Sequence, residues 1–443
     1  MRKAWVAGAG LAGCEAAWAL ANAGVQVTLY EMKPQRYSPA HRSPDFAELV
    51  CSNSFKATRH ISAAGLLKEE MRLLGSLCLA CADGSAVSAG GALAVDREEF
   101  SRRMTRKIEG HPGITVVRGE VTQIPQGEGI IATGPLTSQA LADAVTALCG
   151  AKTLSFYDAS APIVAKDSID MDRVFFATRY GRGEADYINC PFDKEEYEGF
   201  YDALVDAKTV ELREFEREFF RVYEGCMPIE VMARRGRDTL RFGPMRPVGI
   251  TNPKTGHRPW ANIQLRRENA GGSLYNLVGF QTNLTFPEQK RVFSMIPGLE
   301  AAEFYRYGVM HRNTFLDSPR LLDSRFCLRQ EERIFFAGQM TGVEGYMESA
   351  ASGMVAGRVL AARLAGRDIP SPPPQTMVGA LCRTISDPGV EDFQPMGSNM
   401  GLLPPVEEPP AGRRMGKEER YTALADRAVA AMERYAAQYF GQE

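Results

Sequence analysis

The feature that most constrains this chain is a glycine turn near its N-terminus. Gly8, Gly10 and Gly13 directly follow the apolar run 3–7, which predicts a buried strand, and they open a stretch that predicts a helix. A second apolar run ends at Glu31. Glycines at this spacing between a strand and a helix are typical of a βαβ unit that binds a dinucleotide. The sequence therefore predicts an α/β fold with a Rossmann-like first unit.

Each position of this turn has its own physical role in the prediction. Gly8 makes the tight turn, Gly10 lets backbone N–H groups approach a pyrophosphate at the helix N-terminus, and Gly13 permits close contact between helix and strand. The carboxylate of Glu31 is expected to accept a hydrogen bond from a ribose hydroxyl. The remaining residues of the turn belong to the same expected cofactor site: Ala9, Leu11 and Ala12.

Two later glycine turns distinguish between the possible dinucleotides. Thr133 and Gly134 follow one apolar run, and Gly338 and Gln339 follow another run late in the chain. In flavoproteins of the two-dinucleotide type, such distant turns complete the FAD site, whereas NAD dehydrogenases rarely need a late returning segment. The sequence therefore predicts a bound FAD that is held by both ends of the chain.

The middle of the chain differs from its two ends, since it holds alternating strands and a segment rich in arginine. We expect an inserted α+β domain here, between two halves of a FAD-binding domain. The expected boundaries are 1–150 for the first part of the FAD-binding domain, 151–305 for the insert, and 306–443 for the second part. This second part ends in an amphipathic helix that is expected from Lys417 onwards.

Composition and charge narrow the class of protein. A net charge of −2 gives no global sign of nucleic-acid binding, so such a partner has to be held by local basic patches. Nine cysteines, an odd number in a long chain, argue against a disulfide framework and for a reducing compartment. No apolar run approaches the ~18 residues of a membrane span. We therefore expect a cytoplasmic protein. Cys78 and Cys81 form a Cys-x-x-Cys without a second such pair for zinc, so we interpret them as structural and expect no metal site.

A basic patch of this kind follows Cys226. Five arginines occur within the next twenty residues, at positions 234, 235, 237, 241 and 246. Positive charge stabilises a thiolate, and arginine also neutralises the phosphates of nucleic acids. The alternative is a solvated face or ion pairs within the domain, which applies most readily to Arg234 and Arg241. A second thiol, Cys51, ends a strand-like apolar run, and we expect it at a sheet edge near the flavin.

Ten segments, in order along nearly the whole chain, together resemble one known family. They include GAGLAGCEAAW, AELVCSNSF, EGCMPIEVMARRG, YGVMHRNTF and GVEGYMESAASG. The resemblance is to TrmFO, the family of folate- and FAD-dependent tRNA (uracil-5-)-methyltransferases. The related flavoprotein GidA (MnmG) shares the FAD architecture but has a long additional C-terminal helical region, for which this chain is expected to be too short.

The resemblance implies both a reaction and a set of residues. It implies methylation of C5 of the T-loop uridine (position 54) of tRNA, with methylenetetrahydrofolate as one-carbon donor, reduced FAD as carrier and NAD(P)H as reductant. The family's nucleophile, which adds to C6 of uracil, falls on Cys226. Its second functional cysteine falls on Cys51, as a base or a partner on the flavin side. His311 matches the residue that is expected to stack on the pterin.

Three other functions remain open at the level of the sequence. One is a GidA-like modification of the wobble uridine of tRNA. Another is a small-molecule FAD oxidoreductase, which would oxidise NAD(P)H without RNA and would not bind RNA. The third is a non-catalytic FAD-bound scaffold, which would bind tRNA and tolerate the loss of both thiols.

Overall fold

The structure is a computed structural model that describes most of the chain. The described residues are 1–150, 154–181, 184–210, 227–391, 393–406 and 415–440, without the side chains of 154–159 and 311–314. Cys226 lies outside the described residues, and so does the side chain of His311. The remaining predicted site residues can be placed.

The elements of the described part are numbered in chain order. The strands are β1 (Lys3–Ala7), β2 (Gln26–Glu31), β3 (Ser54–Ala57), β4 (Ala86–Val87), β5 (Ala92–Val95), β6 (Ile114–Arg118), β7 (Gly129–Ile131), β8 (Leu154–Ala159), β9 (Ile163–Ala165), β10 (Phe175–Phe176), β11 (Ile188–Phe192), β12 (Ala261–Arg267), β13 (Leu274–Leu277), β14 (Phe304–Arg306), β15 (Met310–Phe315) and β16 (Ile334–Phe336). The helices are α1 (Leu11–Asn22), α2 (Ala63–Leu73), α3 (Leu77–Asp83), α4 (Arg97–Glu109), α5 (Gln139–Cys149), α6 (Lys194–Val205), α7 (Ile229–Ala233), α8 (Thr239–Phe242), α9 (Phe286–Phe293), α10 (Ser318–Leu321), α11 (Tyr346–Leu364), α12 (Met377–Ser386) and α13 (Lys417–Phe440).

A five-stranded parallel sheet contains the predicted βαβ unit. Its strand order is β16, β7, β1, β2, β6, and every ladder in it is parallel. The central strand β1 is buried from Ala4 onwards because it is covered on both faces, which explains its continuous apolar sequence. Strand β16, which comes late in the chain, pairs with β7 and so returns to the N-terminal unit. The predicted α/β architecture is confirmed.

Helix α11 lies unusually close to α1 because small residues face each other. A Cβ atom at Gly353 would overlap the carbonyl oxygen of Ala12, and one at Gly357 would lie 2.7 Å from the carbonyl oxygen of Ala16. The hydroxyl of Ser352 accepts a hydrogen bond from the N–H of Gly338 at 2.7 Å. The packing of α11 on α1 therefore fixes the turn after β16 beside the N-terminus of α1.

A second sheet of six strands has the order β10, β11, β12, β13, β9, β14, and its ladders are antiparallel. Two separate clusters of buried apolar residues accompany the two sheets. The first cluster draws on residues before 150 and after 314, and the second draws on residues between 164 and 302. The domain boundaries given above stay a prediction.

The C-terminal helix α13 packs on the first cluster, in which Leu424, Ala428, Met432 and Tyr435 are buried. The hydroxyl of Tyr435 donates a hydrogen bond to the carbonyl of Pro370 at 2.7 Å. None of the helices in the described part has the length and apolar character that crossing a membrane would need.

We expect Gly353→Ala to lower the free energy of unfolding by about 1–3 kcal/mol, because the added methyl group pushes α11 away from α1. The higher helix propensity of alanine offsets only part of this cost. Thermal unfolding followed by circular dichroism measures the effect. Gly91→Ala is the control, since a Cβ there meets no atom within 4 Å. An unchanged melting temperature for Gly353→Ala would contradict the role given to this contact.

Candidate functional site

A cleft opens at the carboxyl ends of the parallel strands. Its lining includes the three predicted turns, namely residues 8–12, Thr133 with Gly134, and Gly338 with Gln339. The cleft has a volume of about 1140 Å³ with its open mouth included. The structure thus brings together the three turns that the sequence analysis identified.

The three glycines of the first turn have different surroundings. Gly8 has a φ of +95°, and a Cβ on it would lie 2.6 Å from the carbonyl oxygen of Ala132. A Cβ on Gly13 would overlap the carbonyl oxygen of Gly8, and Gly13 does not line the cleft. At Gly10, by contrast, a Cβ meets nothing within 4 Å. Packing within the protein therefore requires Gly8 and Gly13, whereas Gly10 leaves space in the cleft for a ligand.

The polar groups of the cleft fit a dinucleotide. Glu31 is only 7% exposed, and its carboxylate accepts hydrogen bonds from the N–H groups of Ala9 and Lys33, each at 2.9 Å. A carboxylate has about four acceptor positions, so it can still accept a hydroxyl. No side chain of the described residues caps the N-terminus of α1, which begins at Leu11. The N–H groups of its first turn are therefore available to an anion such as a pyrophosphate.

A second cavity adjoins the cleft and contains Cys51 in its wall. Its volume is about 1220 Å³ with its open mouth included. It shares six lining residues with the first cleft: Val50, Pro135, Leu136, Gln339, Tyr346 and Ser349. Residues beside and within the second sheet close its other side: Ser160, Arg266 and Gln281. Cys51 therefore lies beside the dinucleotide cleft, in a cavity that the six-stranded sheet also lines.

The expectation of a strand before Cys51 is wrong. The segment from Phe46 to Val50 forms no strand, and β3 begins only at Ser54. Ala47 adopts a φ of +50°, and its N–H donates to the carbonyl of Ala9 at 2.9 Å. This left-handed residue bends the chain around the glycine turn, so Cys51 reaches the cavity on a loop.

The loop that carries Cys51 is held from both sides. The hydroxyl of Tyr346 accepts hydrogen bonds from the N–H groups of Cys51 at 2.9 Å and Ser52 at 3.2 Å. The guanidinium of Arg266 donates to the Ser52 hydroxyl at 2.7 Å and to the side-chain oxygen of Asn53 at 3.0 Å. Burial raises the pKa of Tyr346 and lowers that of Arg266. Helix α11 and strand β12 thus fix one short loop between them.

The sequence analysis missed Tyr346 and Arg266, and it also missed an ion pair in the cavity wall. Lys56 lies 3.0 Å from the buried carboxylate of Glu348. Burial favours the neutral acid, but Lys56 and the hydrogen bonds from Ser398 outweigh it and hold the pKa of Glu348 below its usual value. The sequence did contain a signal for this pair, because Glu348 is an acidic residue within the small residues of α11.

The arginines are on the outside of the second sheet. Arg237 pairs with Asp202 at 2.6 Å, and Arg241 pairs with Asp238 at 2.7 Å. The ion-pair alternative therefore holds in part, for Arg241 as expected and also for Arg237. The other members of the row have exposed side chains: Arg234, Arg235 and Arg246.

The described chain resumes close to the second cavity. Ile229, three residues after Cys226 in the sequence, donates its N–H to the carbonyl of Gln281 at 2.7 Å, and Gln281 lines the cavity. The backbone of His311 pairs with that of Asp158 between β15 and β8.

The Cys-x-x-Cys pair behaves as the structural interpretation predicts. Burial raises the pKa of Cys78 well above its usual value and that of Cys81 to about 11. Both thiols therefore stay protonated near neutral pH and are poor nucleophiles.

Comparison with known proteins assigns the chain to a family. The profile of the family described as "GIDA: Glucose inhibited division protein A" matches residues 3–368. A relative from Anoxybacillus flavithermus, named methylenetetrahydrofolate–tRNA-(uracil-5-)-methyltransferase TrmFO, is 56% identical over 420 residues, or 95% of this chain and 96% of its own. The protein of the same name from Enterococcus faecalis is 55% identical over 429 residues, or 97% of each chain. The chain belongs to the TrmFO family. The resemblance drawn from its motifs is confirmed.

Solved structures place the TrmFO fold beside that of GidA. The structure of Aquifex aeolicus GidA in one crystal form matches with a TM-score of 0.71 at 16% identity, covering 99% of this chain and 74% of that chain. A second crystal form gives a TM-score of 0.69 at 15% identity, covering 98% and 76%. At this identity the likeness shows the fold alone. The predicted relation to the GidA architecture is confirmed.

We expect Tyr346→Phe to speed the alkylation of Cys51 by iodoacetamide, because two backbone N–H groups of its loop lose their shared acceptor. Leaving these groups without a partner should also cost about 1–3 kcal/mol of stability. Timed alkylation with peptide mass spectrometry reports on Cys51, and thermal unfolding reports on stability. Tyr439→Phe is the control, since the Tyr439 hydroxyl accepts only an exposed contact from Gln438 at 3.1 Å. Equal alkylation rates in Tyr346→Phe and wild type would refute this restraint.

Proposed function

We propose that this protein methylates C5 of a uridine in tRNA, with methylenetetrahydrofolate as the one-carbon donor and FAD as a bound cofactor. The observation that carries the proposal is the position of Cys51 in a cavity that adjoins a dinucleotide cleft. Relatives that are 53–56% identical carry the name of this activity. We take the T-loop uridine (position 54) as the target, NAD(P)H as the reductant and the cytoplasm as the location.

The residues of the first cleft would hold FAD. The uncapped N-terminus of α1 suits its pyrophosphate, and Glu31 suits a ribose hydroxyl. The later turns approach the same cleft with left-handed glycines, Gly134 at a φ of +71° and Gly338 at +82°. When bound, FAD supplies the redox chemistry that converts a one-carbon unit to a methyl group. Gly13 would support this site through its packing against Gly8. The residues proposed to contact FAD are Gly8, Ala9, Gly10, Leu11, Ala12, Glu31, Thr133, Gly134, Gly338 and Gln339.

Two thiols would act on the uracil ring. C5 of uracil is a poor nucleophile until a thiolate adds to C6 and forms an enolate, and we assign this addition to Cys226. Chain connectivity supports the assignment, because the three residue steps from Cys226 to Ile229 span at most about 10 Å, and Ile229 is bonded to the cavity wall at Gln281. We assign removal of the C5 proton to Cys51, after which the bond between C6 and sulfur breaks.

Two further side chains have proposed roles at this cavity. Arg266 places a buried positive charge in its wall, which would stabilise the enolate that forms on the uracil ring. His311 would stack on the pterin of the folate, and such ring contacts contribute about 0.5–1.5 kcal/mol beyond area burial.

The GidA-like alternative has weaker support. GidA shares the fold with this chain at only 16% identity, whereas the relatives that carry the methyltransferase name share more than half of all residues along nearly the whole chain. The methylation test given below separates the small-molecule oxidoreductase and the scaffold from the proposal, because neither of them would form 5-methyluridine.

We expect purified wild-type protein to be yellow and Gly10→Val to be colourless. A side chain at Gly10 has room within the protein, so it should block the pyrophosphate without disturbing the fold. Absorbance near the flavin bands, before and after reconstitution with FAD, measures the effect. Gly271→Val is the control, because it also meets no atom within 4 Å but lies outside the cleft. A colourless wild type that cannot take up FAD would show that the flavin assignment is wrong.

The activity is tested with an unmodified tRNA transcript, methylenetetrahydrofolate and NADPH, followed by nucleoside mass spectrometry. We expect 5-methyluridine with the wild type and none with Cys226→Ala, because addition to C6 is lost. A transcript with 5-fluorouracil at the target should give a covalent adduct, since fluorine cannot leave as a proton does. The adduct should be absent in Cys226→Ala.

Two further variants sharpen this test. Cys51→Ala should lose turnover but still form the adduct, because the step assigned to Cys51 follows the addition. Cys81→Ala should methylate normally, since the Cys81 thiol is buried and protonated. Methylation by Cys226→Ala at a rate near that of the wild type would show that the nucleophile is another residue.

A further inference from the structure

We propose that an exposed aromatic patch on the second sheet is a stacking site for an unpaired nucleotide of the substrate RNA. The patch consists of Phe242, Trp260, Arg241 and Arg246, and Tyr180 extends it on one side. The proposal rests on the proposed function, because it takes tRNA as the partner. It goes beyond that function by assigning a second contact to the RNA, outside the catalytic cavity.

Phe242 is the observation from which the proposal starts. Its side chain is 84% exposed, more than any other large hydrophobic side chain of the described residues except Met1. Phe242 is the last residue of α8. Leu240 within the helix and Met245 just after it are both fully buried. The N–H of Asn262 in β12 donates to the carbonyl of Met245 at 3.0 Å. Phe242 therefore projects from a segment that is firmly docked on the sheet.

The rest of the patch is joined to this segment by direct contacts. The guanidinium of Arg241 lies 3.8 Å from the centre of the Trp260 ring and donates to the Trp260 carbonyl at 3.0 Å. Trp260 is itself 38% exposed. On the other side, Tyr180 donates its N–H to the carbonyl of Gly249 at 2.8 Å. The segment that carries Phe242 is therefore bonded to two further exposed aromatic residues, Trp260 and Tyr180.

The charge of this stretch identifies the kind of partner. Residues 234–260 contain seven arginines and lysines but only one acidic residue, Asp238, whereas the whole chain has a net charge of −2. Asp238 is already paired with Arg241 at 2.7 Å. A surface of this charge is complementary to a polyanion, and a neutral or basic protein partner would not need it.

The combination of aromatic rings with arginine specifies unpaired RNA rather than a duplex. A duplex is contacted through phosphates and 2′-hydroxyls, for which an exposed phenylalanine has no use. Unpaired bases stack on aromatic rings and on guanidinium planes, and the phosphates beside them bind arginine. The same segment begins at Ile229, which is bonded to the wall of the second cavity. The segment that carries the patch is therefore joined to the wall of the cavity.

The test separates stacking from charge. We expect Phe242→Ala to weaken binding of the unmodified tRNA transcript by roughly tenfold, with an unchanged slope of affinity against salt concentration. Phe242→Trp should bind like the wild type. Arg246→Gln should weaken binding and reduce the salt slope by about one. Tyr305→Ala is the matched control, because Tyr305 is 66% exposed but lies at the opposite edge of the sheet.

The outcomes distinguish this proposal from the function on which it rests. If Phe242→Ala binds tRNA as tightly as the wild type while the wild type methylates tRNA, the stacking site is refuted and the function stands. If sedimentation shows that Phe242→Ala loses self-association but keeps its affinity for tRNA, the patch is a protein interface and the proposal is overturned. A wild type that neither binds nor methylates tRNA refutes the proposed function itself.

Discussion

Every part of the candidate site depends on the contact between α1 and α11. Because Gly353 and Gly357 have no side chains, the backbones of the two helices approach until a methyl group would collide with a carbonyl of α1. The start of α11 is thereby fixed relative to the glycine turn, and its first residue, Tyr346, holds the loop of Cys51. The walls of the dinucleotide cleft and of the second cavity therefore belong to one packed unit.

Local signals in the sequence predicted the first cleft, because its main turn and Glu31 belong to one βαβ unit. The second cavity was only partly predictable. Tyr346 and Arg266 meet the Cys51 loop through tertiary packing across more than two hundred residues of chain. The strand expected before Cys51 is absent because Ala47 is bent by a hydrogen bond to the glycine turn, which no local propensity encodes.

The arginine row shows the same division between local and tertiary information. The sequence identified its charge, but two partners of its members lie on other elements: Asp202 lies within α6, and Trp260 comes just before β12. These contacts bind Arg237 and Arg241 to the rest of the domain. The side chain of Arg246 and the ring of Phe242 are exposed beside them.

The hydrogen bonds of Arg266 limit how far the second cavity can open. This buried guanidinium joins β12 to Ser52 and Asn53, so swinging the two sheets apart would leave a charge and its acceptors without partners. Hydrogen bonds that involve a charged group contribute roughly 1.5–3 kcal/mol each. The two bonds of Arg266 therefore oppose a widening of the cavity. A flat ring that enters through the mouth meets walls whose spacing these bonds already limit.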